Sequence, residues 1–135
     1  MRHPLGLLDT CTVLRIGELD SSDLPEQVVI SAITLAELSV GPLVATDESE
    51  RMARQALLQQ VEADYGDPLP FDAAAARSFA QVAADIRRAG AKARARPFDA
   101  LIAAIAKSNQ LPLYTFNPRD FAAVTGVEIV ALPPS

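Results

Sequence analysis

Short apolar runs alternate along this chain with longer stretches in which apolar residues recur at helical spacing. The runs at 5–8 and 113–116 and the β-branched segment 28–31 each predict a strand, and a last strand is predicted over 127–132. Residues 69–71 fit a short edge strand, where the central proline is tolerated. The pattern therefore predicts several short strands and excludes a purely helical protein.

Helices are predicted between the strands, and residues typical of helix ends bound them. Gly41 and Pro42 close a short first helix, and Gly90 ends a longer one that Asp72 caps. Strands separated by helices pair in parallel through right-handed crossovers, which predicts a three-layer α/β/α domain. The predicted helices span 35–40, 47–65, 72–89, 97–107 and 120–124.

Length and composition favour one domain over 1–135, since half of the 135 residues are hydrophobic and can form a core. The single cysteine, Cys11, cannot form an internal disulfide, which indicates a reducing compartment. The opening apolar run is closed by Asp9 and is too short for a signal peptide, and no apolar stretch approaches the ~20 residues of a membrane helix. We therefore expect a cytoplasmic protein with no membrane association.

The net charge of −5, from 12 basic and 17 acidic residues, is unusual for a protein that binds nucleic acid. The distribution of the basic residues weakens this objection to nucleic-acid binding, because five of them lie within ten positions. Such a basic segment is either a solvated helix end with its loop or a binding site for phosphate groups, and the sequence favours neither. Its members are Arg87, Arg88, Lys92, Arg94 and Arg96.

Four acidic residues fall at positions where a ligand site is expected. Asp9 ends the first strand, Glu37 lies one turn into the helix after the second, and Asp120 shortly follows the strand 113–116. Ligands of open α/β sheets bind beyond the carboxyl ends of the strands. Asp99, in the first turn of a long helix, reaches the same edge if that helix starts there. The positions therefore predict that the four carboxylates converge.

Each of these acids also has an ordinary explanation as a helix cap or as a residue favoured by the helix dipole. Capping does not require the caps to face one another, whereas clustered carboxylates repel unless they are protonated or hold a cation. Hard divalent ions such as Mg²⁺ or Mn²⁺ suit such oxygen ligands. Without the four acids the chain has 12 basic against 13 acidic residues, so a metal site would account for most of its net acidity.

Four segments carry a recognisable pattern, in order along the chain. On these segments the sequence resembles the PIN-domain nucleases, and most closely the VapC toxins. One such motif carries little weight, but four in order cover almost the whole chain. They are Leu7-Leu8-Asp9-Thr10, Ile33-Thr34-Leu35-Ala36-Glu37-Leu38, Phe98-Asp99-Ala100-Leu101-Ile102-Ala103-Ala104 and Thr115-Phe116-Asn117-Pro118-Arg119-Asp120-Phe121.

The resemblance implies a five-stranded parallel sheet flanked by helices, with Asp9, Glu37 and Asp99 as the central catalytic acids. Asp120 is expected as the fourth catalytic acid, although some relatives carry aspartate at the position of Asn117. Asp9, Asp99 and Asp120 would bind the metal, and Glu37 would bind a metal or an activating water. The neutral accessory positions implied for the site are Thr10, Thr115 and Asn117.

The implied activity is that of a Mg²⁺- or Mn²⁺-dependent endoribonuclease, the toxin of a bacterial toxin–antitoxin pair, acting on tRNA, ribosomal RNA or mRNA. Hydrolysis by a metal-activated water would leave a 5′-phosphate and a 3′-hydroxyl. The basic segment would then contact RNA phosphates. The resemblance also implies a homodimer and a cognate antitoxin that binds DNA.

Three other classes of protein share parts of this pattern. A phosphatase of the haloacid dehalogenase type needs a second aspartate two residues after the first, where this chain has Cys11. A nucleotide-cofactor protein favours a glycine-rich first turn, and the segment 9–12 has no glycine. A catalytically inactive PIN scaffold that only binds other proteins is the third alternative, and the acids at the motif positions argue against it.

Overall fold

Four short parallel strands form the centre of the computed structural model, which describes residues 2–93 and 95–133 and only the backbone of Lys92. The strands are β1 (Leu5–Leu8), β2 (Gln27–Val29), β3 (Leu113–Thr115) and β4 (Ile129–Ala131). They are ordered β2-β1-β3-β4, so β1 and β3 occupy the middle of the sheet. Leu7 of β1 lies opposite Val29 on one side and Leu113 on the other.

Five α-helices accompany the strands in the described part of the chain; the last three begin and end close to where the sequence predicts, whereas the first, a short helix directly after Asp9, was not predicted. Asp47 and Asp72 cap the third and fourth helices, and Gly90, with φ 57°, ends the fourth. The helix expected over 120–124 is instead a 3₁₀ helix, Pro118–Phe121. No helix of the described residues is long and apolar enough to cross a membrane. The α-helices are α1 (Thr10–Leu14), α2 (Ala32–Val44), α3 (Glu48–Tyr65), α4 (Ala73–Ala89) and α5 (Pro97–Ser108).

One helix is longer than its sequence signals indicate. The sequence predicts a helix over 35–40 that a glycine and a proline close, whereas α2 begins earlier and continues past both. Ser31 caps its start by accepting a hydrogen bond from the backbone N–H of Thr34 at 3.2 Å. The helix continues because it packs against α3, from which Arg54 donates to the carbonyl of Gly41 at 2.9 Å.

The sheet has four strands rather than the five that the resemblance implies. The segment predicted as a short edge strand, 69–71, forms only one isolated parallel bridge, between Leu69 and Ser31. Helix α2 begins at Ala32, directly after Ser31, so the partner segment leaves the extended conformation and the pairing does not continue. The fifth strand is therefore reduced to a single residue pair.

The sheet separates two hydrophobic cores, because alternate residues of a strand point to opposite faces. Leu7 and Leu113 pack with α4 and α5 on one face. Leu8 and Tyr114 pack with α1, α2 and α3 on the other. The predicted three-layer α/β/α arrangement is confirmed, and the carboxyl ends of β1 and β3 emerge between the two helical layers.

A buried carboxylate on α4 holds the loop that precedes β4. Asp85 is 6% exposed, and its Oδ2 accepts hydrogen bonds from the backbone N–H and the hydroxyl of Thr125, at 2.9 and 2.8 Å. Arg88 forms an ion pair with its Oδ1. The backbone hydrogen bond from Thr125 is the main cause that lowers the pKa of Asp85, and the Thr125 hydroxyl and the charges of Arg88 and Lys107 lower it further against the opposing effect of burial.

Asp85→Asn should lower the free energy of unfolding at pH 7 by about 1–3 kcal/mol, because the donors of Thr125 lose a charged acceptor. A lowered folded-state pKa stabilises the fold above the ordinary aspartate pKa of about 3.9, and this stabilisation is lost as the pH falls through the folded-state value. Urea denaturation of both proteins should therefore show their difference shrinking below about pH 4. Asp67→Asn, at an exposed aspartate, is the matched control. A difference that stays constant with pH would contradict this role of Asp85.

Candidate active site

A cavity of about 520 Å³ opens at the carboxyl ends of β1 and β3. All four predicted acids line it, although they come from four separate parts of the chain. Thr10 and Asn117 line it as well, whereas Thr115 is fully buried and contacts the site through Asp9. The convergence predicted from the order of strands and helices is therefore present in the structure. The acids are Asp9, Glu37, Asp99 and Asp120.

Asp9 is the most deeply buried of these acids, with 4% of its surface exposed. Its Oδ1 accepts hydrogen bonds from the N–H and the hydroxyl of Thr12, at 3.0 and 2.5 Å. Its Oδ2 accepts one from the hydroxyl of Thr115 at 2.6 Å, and that hydroxyl accepts from the N–H of Asn117 at 2.9 Å. A buried charge needs such partners. Each carboxylate oxygen has room for two, so Oδ2 can still bind a ligand.

Glu37 is half-buried in the second turn of α2 and is held at one of its two oxygens. The hydroxyl of Thr10 donates to Oε1 at 2.7 Å and lies 3.0 Å from the hydroxyl of Thr34. No hydrogen bond reaches Oε2 from elsewhere in the described part of the chain. The carboxylate is thus oriented through Oε1, and Oε2 is available to an occupant of the cavity.

Asp99 is the third residue of α5, and its Oδ2 accepts a hydrogen bond from the N–H of Arg96 at 3.3 Å. Burial is the main cause that raises the pKa of Asp99, and the negative charges of Asp120 and Asp9 raise it further. The hydrogen bond from Arg96 and its positive charge act in the opposite direction. The raised pKa thus follows first from burial and then from crowded negative charge, and a bound cation would neutralise that negative charge.

Sequence reasoning missed several residues of this site. Thr12 holds Asp9 through two hydrogen bonds, and the three-residue spacing between them, typical of an N-cap and its partner, is the signal that could have found it. Leu14 and Phe98 were also missed, and both are exposed apolar residues on the cavity wall. The sequence carries no signal for these apolar positions, because their neighbours come from distant parts of the chain.

The structure describes the side chains of three residues of the basic segment, namely Arg87, Arg88 and Arg96. Arg96 lines the acid cavity and also a groove between α4 and α5, which Arg87 borders. Arg88 is paired with Asp85. The side chain of Lys92 and the whole of Arg94 lie outside the described residues. Contact of these five residues with RNA therefore stays a prediction.

The donor atoms of the cavity suit a hard divalent cation. Carboxylate oxygens, the side-chain amide of Asn117 and the hydroxyl of Thr10 are ligand types that Mg²⁺ and Mn²⁺ take. Within residues 2–93 and 95–133, no three Asp, Glu, His or Cys side chains are already arranged as a group that could hold a metal ion. Carboxylates without a counter-charge repel one another. The residues thus fit a cation in chemistry and charge, and the acids would have to draw together around it.

Comparison with known protein families decides what kind of domain this is. A PIN domain model matches residues 8–127. The chain belongs to the PIN-domain family. PIN-domain nucleases generally depend on divalent metal ions, in agreement with the donor atoms of the cavity.

Similar proteins of known name are ribonucleases. Ribonuclease VapC5 of Mycobacterium tuberculosis is 37% identical to this PIN domain over 130 residues, which cover 94% of this chain and 93% of the relative. The tRNA(fMet)-specific endonuclease VapC of Shigella flexneri is 34% identical over 101 residues, 75% of this chain and 72% of the relative. A crystal structure of VapBC-5, from the VapBC family of toxin–antitoxin systems in M. tuberculosis, matches with a TM-score of 0.82 and 39% identity, over 96% of this chain and 99% of that one.

Thr115→Val should weaken the binding of a divalent metal to this PIN domain by roughly 10–100-fold, because Asp9 loses the partner that fixes its Oδ2. Valine fills a similar volume but cannot donate to the carboxylate. Calorimetric titration with Mn²⁺ measures the change. Thr46→Val, at an exposed threonine outside the cavity, is the matched control and should bind Mn²⁺ as the wild type does. Equal affinities for all three proteins would show that the metal does not depend on the Thr115–Asp9 hydrogen bond.

Proposed function

We propose that this PIN domain is an endoribonuclease that uses Mg²⁺ or Mn²⁺ and acts in the cytoplasm as the toxin of a toxin–antitoxin pair. The observation that carries the proposal is the convergence of four carboxylates on one cavity at the ends of the parallel strands. The names of the relatives, a ribonuclease and a tRNA-specific endonuclease, support RNA as the substrate. The similar solved structure belongs to a family of toxin–antitoxin systems, which supports the toxin role.

In this proposal Asp9, Asp99 and Asp120 hold the cation. Glu37 binds the same ion or orients the attacking water through its available Oε2. The amide of Asn117 offers a neutral oxygen at the same cavity. When bound, the cation lowers the pKa of a water molecule and neutralises charge that develops on the phosphate during hydrolysis. The products are a 5′-phosphate and a 3′-hydroxyl.

Three threonine hydroxyls position the acids for this reaction. Thr12 and Thr115 donate to the two oxygens of Asp9 and so fix the orientation of its buried carboxylate. Thr10 fixes Glu37 in the same manner. These two carboxylates are therefore oriented before any substrate arrives, and the other acids would draw together with them around the cation.

Two alternatives are not favoured. A cysteine nucleophile would need a nearby base, and the only histidine, His3, is bonded to Glu128 at 2.8 Å in a different cavity from Cys11. An inactive PIN scaffold that serves as a protein-binding module would have no use for four acids in one cavity, because their mutual repulsion destabilises the fold. The acids are therefore better explained by catalysis.

The toxin role implies an RNA substrate and a cognate antitoxin, and we infer that the toxin is a homodimer within the complex. Large apolar side chains are exposed on α2 and α3, with Leu43 at 85% exposure, and they support binding to protein partners. The antitoxin would present a basic side chain to the acid cavity, because that charge can replace the cation. The exposed apolar residues of this patch are Val40, Leu43, Val44 and Met52.

Asp99→Asn should reduce RNA cleavage by orders of magnitude while leaving the metal-free protein equally or more stable. The raised pKa of Asp99 means that its charge opposes folding at neutral pH, so a neutral amide removes the cost of burying the charge and relieves repulsion by Asp120 and Asp9. The amide is also a poorer ligand for a hard cation. If Asp99 served only the helix dipole, the variant would lose about 0.3–1 kcal/mol of stability and keep its activity. The measurements are melting temperatures with EDTA and with Mn²⁺, and cleavage of bulk RNA.

The same assay tests the proposed function itself, because EDTA should stop cleavage by the wild type and added Mn²⁺ should restore it. Asp72→Asn is the matched control, since asparagine caps helices about as well as aspartate and this cap of α4 does not line the cavity. It should cut RNA as the wild type does. An Asp99→Asn protein that melts lower without metal and still cuts RNA would remove Asp99 from the active site.

Replacing both Arg87 and Arg96 by glutamine should weaken RNA binding and reduce its salt dependence by up to roughly one unit of log–log slope for each lost phosphate contact. These two are chosen because they border one groove beside the cavity, whereas Arg88 is paired with Asp85. Fluorescence anisotropy over a salt series, with EDTA to prevent cleavage, measures the slope. Arg51→Gln on α3 is the control. An unchanged slope in the double variant would identify the basic segment as a solvated helix end and loop.

A further inference from the structure

The wall of the acid cavity carries two exposed apolar side chains that binding of a cation does not use. Phe98, directly before Asp99, is 53% exposed, and Leu14, the last residue of α1, is 52% exposed. Both line the same cavity as the four acids. Within the described residues the ring of Phe98 pairs with no other aromatic ring. An apolar surface is thus exposed in the same cavity as the acids, where a cation alone would leave it uncovered.

A substrate phosphate brings a suitable partner for this surface, since each RNA phosphate is linked through one sugar to a flat base. Building on the proposed ribonuclease function, we propose that Phe98 stacks on a nucleobase next to the scissile phosphate and that Leu14 adds apolar contact. Phe98 and Asp99 are consecutive in the first turn of α5, so the ring is held close to a proposed metal ligand. The stacked base would thereby place the neighbouring phosphate at the acids.

The charge next to the ring favours an RNA strand over a protein as the occupant. Arg96 lines the same cavity two residues before Phe98. A cationic side chain for the backbone and an aromatic ring for the base are the pair of features with which proteins hold single-stranded nucleic acid. Bases inside an A-form helix are stacked on each other and cannot reach a protein ring. The platform therefore selects unpaired RNA, and differences in stacking strength between the bases give a modest base preference beside the cut.

Kinetics on variants of Phe98 test this assignment. Phe98→Ala should raise KM for a short single-stranded RNA of random sequence about tenfold, as expected for one lost base–aromatic stack, and should change kcat less. Sequencing of the 5′-phosphate ends should show a base preference beside the cut that Phe98→Ala flattens. Phe98→Tyr should retain both properties, whereas Phe98→Leu, which is apolar without a ring, should resemble the alanine variant. Leu43→Ala, on α2 away from the cavity, is the control and should keep the wild-type KM.

A binding measurement separates this proposal from the proposed function. A short RNA that carries 2-aminopurine loses fluorescence when that base stacks on an aromatic ring, and Glu37→Gln protein with Mg²⁺ should bind it without cutting. Fluorescence should fall on binding, and it should not fall when Phe98→Ala is added to the same protein. If quenching depends on Phe98 but the wild type shows no metal-dependent cleavage, the proposed function is wrong and the stacking stands. If the wild type cuts RNA and Phe98→Ala changes neither KM, base preference nor quenching, the stacking is overturned, and Phe98 contacts a protein partner instead.

Discussion

A carboxylate that is almost wholly removed from water, at Asp9, holds the centre of this molecule together. It directly follows β1, caps α1 and accepts a hydrogen bond from Thr115 at the end of β3. A buried charge destabilises a fold unless hydrogen bonds satisfy it, and the hydroxyls of Thr12 and Thr115 do so. The same bonds that make the charge tolerable therefore join two strands to a helix and orient the carboxylate toward the cavity.

The remaining acids reach Asp9 from both helical layers of the domain. Glu37 lies on α2, which covers one face of the sheet, and Asp99 on α5, which covers the other. The acid cavity thus forms where the two layers meet at the carboxyl edge of β1 and β3. Burial, together with the negative charges of Asp120 and Asp9, raises the pKa of Asp99, and the two hydrophobic cores supply stability that offsets this cost. The relative positions of the acids therefore depend on how the helices pack against both faces of the sheet.

Features that depend on local sequence could be predicted, and features that depend on distant contacts could not. The cap at Asp72 and the end of α4 at Gly90 are local, and both appear where the sequence places them. Convergence of the acids follows from a general rule for parallel sheets, so it too was accessible. The passage of α2 beyond Gly41 needs a hydrogen bond from Arg54 on another helix, which no local pattern reveals. The hydrogen bonds from Thr125 to Asp85 join residues 40 positions apart, and no local pattern reveals them either.

Asp9 has both a structural role and a proposed catalytic role, which determines how a complex with an uncut substrate could be obtained for crystallography. A substitution at Asp9 would remove a helix cap and the acceptor of two threonine hydroxyls together with a carboxylate of the site. Such a protein would lose its catalytic activity and the local structure of the site together. Asp120 sits in a short 3₁₀ helix, and its side chain makes no hydrogen bond to any other described residue. Asp120 is therefore the acid to replace in order to obtain a folded but inactive protein that holds an uncut substrate.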